Sequence, residues 1–201
     1  MFSKYDAREY AFYPIVGSGV NALEPHYNDN NSVIRDGEML KIDMGARFRG
    51  YCADITRTFP VNGKFTPEQR EVYNVVLNIQ KTIIESIRPG MTKGEINRMS
   101  DQLLTEAGYI QYRLHNITHH LGLEVHDFET DTILRPGHVL TIEPGIYIPA
   151  DAVELSEGFR GMGIRIEDVI LVTETGHEVL SKRIPKEIDD IEKAMQRPRK
   201  R

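Results

Sequence analysis

Four acidic residues lie in runs of the chain that are otherwise rich in apolar and β-branched residues. They are Asp43 in the run 39–43, Asp54 in 48–61, Glu143 in 139–147 and Glu167 in 163–172. Such runs predict β-strands. A carboxylate that is buried in its ionised form without a partner costs on the order of several kcal/mol. The two glutamates, which have apolar neighbours, therefore require a cation or a salt bridge, and Arg165 is one available partner for Glu167 because residues two apart share a strand face.

The two aspartates are expected to face each other across a hairpin. The segment 45–50 joins their two runs, and a hairpin centred there would bring the two carboxylates roughly opposite each other. Like charges so placed repel, and metal ions about 3.5 to 4 Å apart are what a facing carboxylate pair can bridge. Taken alone, the pair is equally compatible with exposed charges on a hairpin.

Histidines are concentrated in one short segment. Four of the chain's seven lie within residues 115–126, namely His115, His119, His120 and His126. Any one of them alone is more often a residue that binds no metal. One imidazole together with the four carboxylates forms an oxygen-rich set of ligands, which suits a hard or borderline ion such as manganese, with cobalt, iron or zinc as alternatives.

The sequence predicts two amphipathic helices in the middle of the chain. Thr66 opens a capping box before the first helix, which ends at residues 89–90, and Thr92 opens another before a helix that Gly108 ends. In both segments apolar residues recur every three or four positions. The predicted apolar stripes are Val72, Val76, Ile79, Ile83 and Ile87 in the first helix, and Ile96, Met99, Leu103 and Ala107 in the second.

The order of strands, helices and strands favours an α+β layer fold. The 201 residues, of which 40% are hydrophobic and 27% charged, are expected to form one domain over 1–201. The basic end at 196–201 is interpreted as a solvated tail. Cys52 is the only cysteine, which excludes an internal disulfide, and its place in a predicted strand indicates a buried side chain rather than a nucleophile.

Charge and hydropathy argue against two classes of partner. The net charge of -5 provides no cationic field that would attract phosphate backbones, so nucleic acid is not an expected partner. No apolar run approaches the roughly 20 residues that span a bilayer, and residues 1–5 contain no apolar segment of the signal-peptide type. We therefore expect no membrane role and a cytoplasmic location.

Four motifs follow one another along the chain. They are the aspartate hairpin, DMG at 43–45 with CADITRTFP at 52–60, the histidine segment HNITHHLGLEVHD at 115–127, and the glutamate strands TIEPGIY at 141–147 and GIRIED at 163–168. In this order they resemble aminopeptidase P and prolidase, the proline-specific branch of the pita-bread metallopeptidases. The resemblance runs from about Ile15 to about Met195. It implies the pita-bread (creatinase/aminopeptidase) fold, a curved antiparallel sheet with covering helices.

The same resemblance implies two divalent metal ions, with Mn2+ expected and Co2+, Fe2+ or Zn2+ as alternatives, and it assigns roles to nine residues. Asp43 would serve one ion, His119 and Glu143 the other, and Asp54 and Glu167 would bridge both. Glu143 would also be the proton shuttle. The remaining implied catalytic residues are His26 and His126 on the substrate side, His115 in a supporting position, and Arg165, which would orient the site.

The implied function is that of an Xaa-Pro aminopeptidase. Such a hydrolase releases an N-terminal residue linked to proline by metal-hydroxide attack on the peptide bond, and its partner is a peptide with proline at the second position. An Xaa-Pro dipeptidase (prolidase) and a catalytically idle pita-bread protein that only binds are the alternatives. The chain departs from the family pattern at Asn116, where glycine is common, and at Ile117 and Thr118, where small residues are common, which affects the expected pocket wall and not the ligands.

Relatives in this family usually carry a separate N-terminal domain and two helices before the segment that starts here. By the resemblance we expect both to be absent, so that one half of the sheet lacks its covering helices and exposes apolar surface. Reduced stability and a homo-oligomer that forms through the exposed face are the expected consequences.

Overall fold

The computed structural model describes residues 6–7, 9–128 and 132–196. Residues 1–5 and 197–201, which include the basic tail, lie outside the described residues. The strands are β1 (Glu9–Tyr10), β2 (Ile15–Ser18), β3 (Met39–Asp43), β4 (Ala46–Phe48), β5 (Tyr51–Cys52), β6 (Thr56–Pro60), β7 (Val139–Ile142), β8 (Gly145–Ile148), β9 (Met162–Arg165), β10 (Asp168–Val172) and β11 (His177–Val179). The helices are α1 (Pro67–Ser86), α2 (Lys93–Glu106) and α3 (Ile188–Met195).

The described strands form small sheets that are antiparallel throughout. Their strand orders are β2-β3-β6, β1-β4-β5, β11-β10-β7 and β8-β9. Helix α1 packs against β7, β8 and β9 and buries its apolar stripe there. The observed architecture is therefore the predicted α+β arrangement, with two helices between two groups of strands. None of the helices within the described ranges combines the length and the apolar character that a membrane span requires.

Three of the predicted strands are interrupted rather than continuous. The run 139–147 breaks after Ile142, the run 163–172 breaks after Arg165, and the run 48–61 breaks at 53–55. At two of these breaks the backbone forms hydrogen bonds with segments outside the predicted strand. Glu143 N donates to Ile117 O at 2.8 Å, and Glu167 N donates to Thr56 O at 3.0 Å. The prediction of unbroken strands was wrong because composition does not show these long-range bonds. Asp54, Glu143 and Glu167 all lie at the breaks.

Both predicted helix starts are confirmed. Thr66 and Thr92 each form a complete capping box, and Gly108 has a φ of 79°, a conformation that glycine adopts without strain. The predicted stripe of α2 is partly wrong, because Ala107 is the exposed C-cap of a helix that ends one residue earlier. The buried residues of α2 are Ile96, Ser100 and Leu104.

Cys52 is half-buried at the end of β5 and not enclosed in a strand as expected. Its Sγ lies 3.4 Å from Leu123 O, and burial raises the pKa of the thiol. A raised pKa disfavours the thiolate, so the residue remains a poor nucleophile.

Candidate metal centre

One cavity of about 520 Å³ contains every residue that the sequence singled out for chemistry. The nine lining residues in question are His26, Asp43, Asp54, His115, His119, His126, Glu143, Arg165 and Glu167. The predicted cluster also included His120, but that ring lies against His138 in a separate groove of about 700 Å³, with ring centroids 5.1 Å apart. That groove has mainly apolar walls and holds none of the nine.

The two aspartates come from adjacent positions of one ladder. Asp43 is the last residue of β3 and pairs with Thr56 of β6, while Met44 N donates to Ile55 O at 3.1 Å. Asp54 is therefore diagonal to Asp43 and not directly opposite, which corrects the expected hairpin register. Diagonal neighbours are still within side-chain reach, and, after burial, the negative charge of Asp43 is one of the causes that raise the pKa of Asp54.

A glycine allows the close approach of the two backbone segments that carry these aspartates. A Cβ atom on Gly45 would lie 1.6 Å from the carbonyl oxygen of Ala53, well inside the closest approach of real atoms. Ala53 N in turn donates to Ala46 O at 2.9 Å. Glycine at position 45 is therefore a condition for placing Asp43 and Asp54 side by side.

His119 presents one ring nitrogen to the acids. Its Nδ1 lies 3.0 Å from His120 O, and because a carbonyl can only accept, Nδ1 carries the proton. Nε2 lies 3.3 Å from Glu143 Oε1 and 3.6 Å from Asp54 Oδ2. Burial lowers the pKa of His119 to about 4, so the ring is neutral and Nε2 has a free lone pair, as a metal ligand requires.

Burial and mutual repulsion hold three acids toward their protonated forms. The pKa of Asp54 is raised to about 9 and that of Glu143 to about 7, in both cases first by burial and then by neighbouring carboxylates, with Arg165 opposing. The pKa of Glu167 is raised well above its ordinary value by burial and by Asp54. Four acids and one guanidinium thus leave an excess of negative charge in this cavity when all are ionised.

The donor set fits divalent cations. Asp54, His119 and Glu167 each offer a ligand atom, and these atoms lie within 4.8 Å of one another. Among the described residues, Asp43 Oδ1 and Asp54 Oδ1 are buried carboxylate oxygens without a hydrogen-bond partner. Because buried polar atoms are normally satisfied, such oxygens indicate a missing cationic partner.

Arg165 pairs with Asp43 and not with Glu167. Its Nη2 donates to Asp43 Oδ2, and its Nε donates to Thr56 Oγ1 at 3.0 Å. Thr56 Oγ1 donates in turn to Glu167 Oε2 at 2.8 Å. The salt bridge between Arg165 and Glu167 that shared strand geometry suggested does not form, because β9 ends at Arg165 and the chain turns before Glu167.

The other histidines occupy distinct positions around the acids. His115 Nδ1 lies 2.7 Å from Asn116 O and 4.0 Å from Glu143 Oε2, and burial lowers the pKa of His115 to about 4. The Tyr147 hydroxyl lies 2.7 Å from His115 Nε2 and therefore donates to it. The ring of His126 lies 4.2 Å from that of His119, measured between centroids, and His26 is exposed at the cavity.

Two of the three residues that depart from the family pattern lie on the cavity wall, as expected, and the third does not. Asn116 and Thr118 line the cavity, whereas Ile117 is buried in the core.

Burial is the first cause that lowers the pKa of His26, followed by the positive charge of Arg165. The neutral form of His26 is therefore favoured.

Sequence reasoning missed two residues that hold the acids in place. Gln80 of α1 is buried, and its Nε2 donates to the carbonyl oxygens of Ile142 at 3.2 Å and Ile166 at 3.1 Å, each immediately before a site glutamate. Thr56 supports Glu167 as described. Gln80 could have been noticed as a polar residue beside the apolar stripe of α1, but its partners lie too far away in sequence to be inferred.

The chain is similar to proteins of a known metallopeptidase family. The model of Peptidase_M24, described as metallopeptidase family M24, matches residues 1–174. The chain is 42% identical over 222 residues to the Xaa-Pro aminopeptidase of Escherichia coli (strain K12), a match that covers 99% of this chain and 50% of that protein. It is 43% identical over 200 residues to the mitochondrial intermediate cleaving peptidase 55 of Arabidopsis thaliana, covering 92% of this chain and 40% of that protein.

Among solved structures, the zinc-substituted aminopeptidase P of E. coli in complex with product superposes with a TM-score of 0.87 at 42% identity. The match covers 96% of this chain and 49% of that one. At this similarity the prediction of the pita-bread fold is confirmed. The chain spans about half the length of the curated relatives it matches.

Proposed function

The chain belongs to metallopeptidase family M24, and from that membership we propose that it acts as a dinuclear-metal Xaa-Pro aminopeptidase. The observation that carries the proposal is the convergence of four carboxylates and one neutral imidazole in a single cavity, with two buried carboxylate oxygens left without partners. The proposed substrate is a peptide with proline at the second position, since the relatives in E. coli and Haemophilus influenzae are named Xaa-Pro aminopeptidases.

The proposed ligand assignment is the one that the family resemblance implies. Asp43 would serve one ion, His119 and Glu143 would serve the other, and Asp54 and Glu167 would serve both. Manganese is the proposed metal because the set is rich in oxygen, with cobalt, iron or zinc as alternatives. Two divalent ions bound there would lower the pKa of a shared water and stabilise the negative charge that develops on the peptide carbonyl oxygen.

The protein's own groups move the protons. Glu143 is the proposed proton shuttle, which would accept a proton from the attacking water and release it to the leaving imino nitrogen. Arg165 holds Asp43 in place, and His115 stands beside Glu143. His126 and His26 face the open side of the cavity and donate to the developing charge on the substrate.

Metal analysis followed by hydrolysis of Xaa-Pro peptide panels tests the proposal. We expect two equivalents of metal and release of the first residue from Xaa-Pro tripeptides. Cleavage of dipeptides alone would instead indicate an Xaa-Pro dipeptidase. Two bound metals without hydrolysis of either panel would indicate a protein that only binds. A cytoplasmic location and a homo-oligomer stay predictions, for which fractionation and light scattering are the direct measurements.

A further inference from the structure

Lys41 is a lysine in the middle of a strand, and it is completely buried. It lies in β3 on the same face as Met39 and Asp43, and its exposed fraction is 0%. Lysine is almost never fully buried unless its amino group is satisfied. Among the described residues, Lys41 forms no salt bridge with a carboxylate, so its hydrogen bonds must go elsewhere.

The amino group bonds to three backbone carbonyls of one loop. Lys41 Nζ donates to Glu24 O at 2.8 Å, to Ala22 O at 3.0 Å and, more weakly, to Pro25 O at 3.5 Å. It also lies 5.2 Å from the centre of the Tyr147 ring, within the range of a cation–π contact. All of the donor capacity of this side chain is therefore directed at the segment 22–25.

That segment leads directly into His26. Arg165 Nη1 donates to the same Pro25 carbonyl at 3.2 Å, so two basic side chains hold the residue immediately before the histidine. On the other side Tyr27 is buried, and its hydroxyl donates to Asn31 Oδ1 at 2.8 Å. His26 is exposed between two fixed neighbours, at the rim of the cavity that holds the acids.

This loop packs closely against β9. A Cβ atom on Gly163 of β9 would lie 2.1 Å from Ala22 O, so the loop backbone rests directly on the strand that carries Arg165. An apolar side chain of similar length at position 41 would leave the carbonyl groups of 22 and 24 without their donor. Unpaired buried carbonyls would favour a shift of the loop toward water.

We propose that Lys41 is a positioning residue that fixes His26 over the metal-ligand cluster by holding the carbonyls of Ala22, Glu24 and Pro25. The proposal rests on the proposed function, in which His26 donates to the substrate. Lys41 itself touches neither substrate nor metal. It acts only through the loop.

A double-mutant cycle tests the proposal on an Xaa-Pro tripeptide. Because a displacement of about 1 Å can lower a rate about 100-fold, we expect Lys41→Met to reduce kcat/KM about 10- to 100-fold in the unmutated background. In the His26→Ala background the same change should cause less than about a twofold further loss, since its target is already absent. The metal content of each variant is measured alongside, and Lys64→Met, at an exposed lysine, is the matched control.

Equal losses in both backgrounds would overturn the proposal, and so would loss of metal in Lys41→Met, because Lys41 would then act through the metal centre or through overall stability. Should Lys41→Met fail to fold, Lys41→Gln replaces it, because its amide retains two donors and is expected to give a smaller loss with the same dependence on His26.

A second readout separates this proposal from the proposed function. In histidine NMR spectra, Lys41→Met should shift or broaden the ring resonances of His26 and leave those of His177 unchanged, whether or not the chain hydrolyses peptides. An unperturbed His26 ring would overturn the positioning role. Absence of hydrolysis by the unmutated, metal-loaded chain would instead count against the aminopeptidase alone.

Discussion

In the metal-free protein, the buried acids of the cavity are expected to contribute a loss of stability as the pH rises. In the metal-free fold the pKa of Asp54 is raised to about 9 and that of Glu143 to about 7, against ordinary values of 3.8 and 4.5. Between about pH 4 and pH 9 these carboxyl groups are therefore more protonated in the folded state than in the unfolded chain. By linkage, stability is greatest below pH 4 to 5 with respect to these groups and falls as the pH rises through the folded pKa values.

The size of the effect follows from the pKa of Glu143 alone. The interval from 4.5 to about 7 corresponds to about 3 kcal/mol, at about 1.4 kcal/mol for each pH unit. For a chain of this length, 1 kcal/mol shifts the Tm by about 2 to 4 °C, so Glu143 alone is expected to lower the Tm by about 6 to 12 °C. Asp54 and Glu167 act in the same direction, whereas the lowered pKa values of His115 and His119 oppose them below about pH 6.5. Bound cations favour the ionised carboxylates, and the gain in Tm on adding manganese should therefore be larger at pH 8 than at pH 5.

Calorimetry at pH 5 and pH 8, with chelator and with manganese, measures both quantities. Asp54→Asn removes one of the acids and should make the change in Tm from pH 5 to pH 8 more positive in the metal-free protein. Asp151→Asn, at an exposed position, is the control and should leave it unchanged. A metal-free pH dependence that is the same in Asp54→Asn as in the unmutated protein would refute the reasoning, as would a manganese effect that is independent of pH.

Three further predictions concern ligands, packing and a buried ion pair. Asp54→Ala and Glu167→Ala should each abolish both bound metals and the hydrolysis of Xaa-Pro peptides, and retention of two metals in elemental analysis would refute the bridging role. Gly45→Ala should destabilise by about 3 kcal/mol or more in urea unfolding, because its Cβ would overlap Ala53 O, whereas Gly176→Ala, with open space around it, should not. Asp168→Asn should cost about 3 to 5 kcal/mol, because it removes the buried partner of Arg57 and Lys186, and a loss below about 1 kcal/mol in the same urea assay would contradict this.

Local signals in the sequence predicted the helices well. The capping boxes at Thr66 and Thr92 depend on residues three positions apart, and the left-handed Gly108 depends on its own lack of a side chain. Each of these features depends only on residues that are close together in the sequence, so the sequence alone predicts it. Ala107 was wrongly assigned to the apolar stripe of α2 because periodicity does not show where the last turn of a helix ends.

Long-range contacts account for what the sequence did not reveal. Arg165 reaches Asp43 across 122 positions, and Thr56 reaches Glu167 across 111. The strand breaks that carry the glutamates depend on bonds of the same kind, as does the loop held by Lys41. Acids in apolar runs could be identified as needing partners, but which side chain or loop each one meets depends on the packing of distant segments.

A crystal of the protein soaked in manganese, with anomalous scattering recorded, tests the central claim most directly. We predict two peaks about 3.5 to 4 Å apart in the cavity. The residues predicted to surround them are Asp43, Asp54, His119, Glu143 and Glu167. Two occupied sites there would establish the centre on which the proposed chemistry depends. A map with no peak among these side chains, at a manganese concentration that labels other sites, would contradict it.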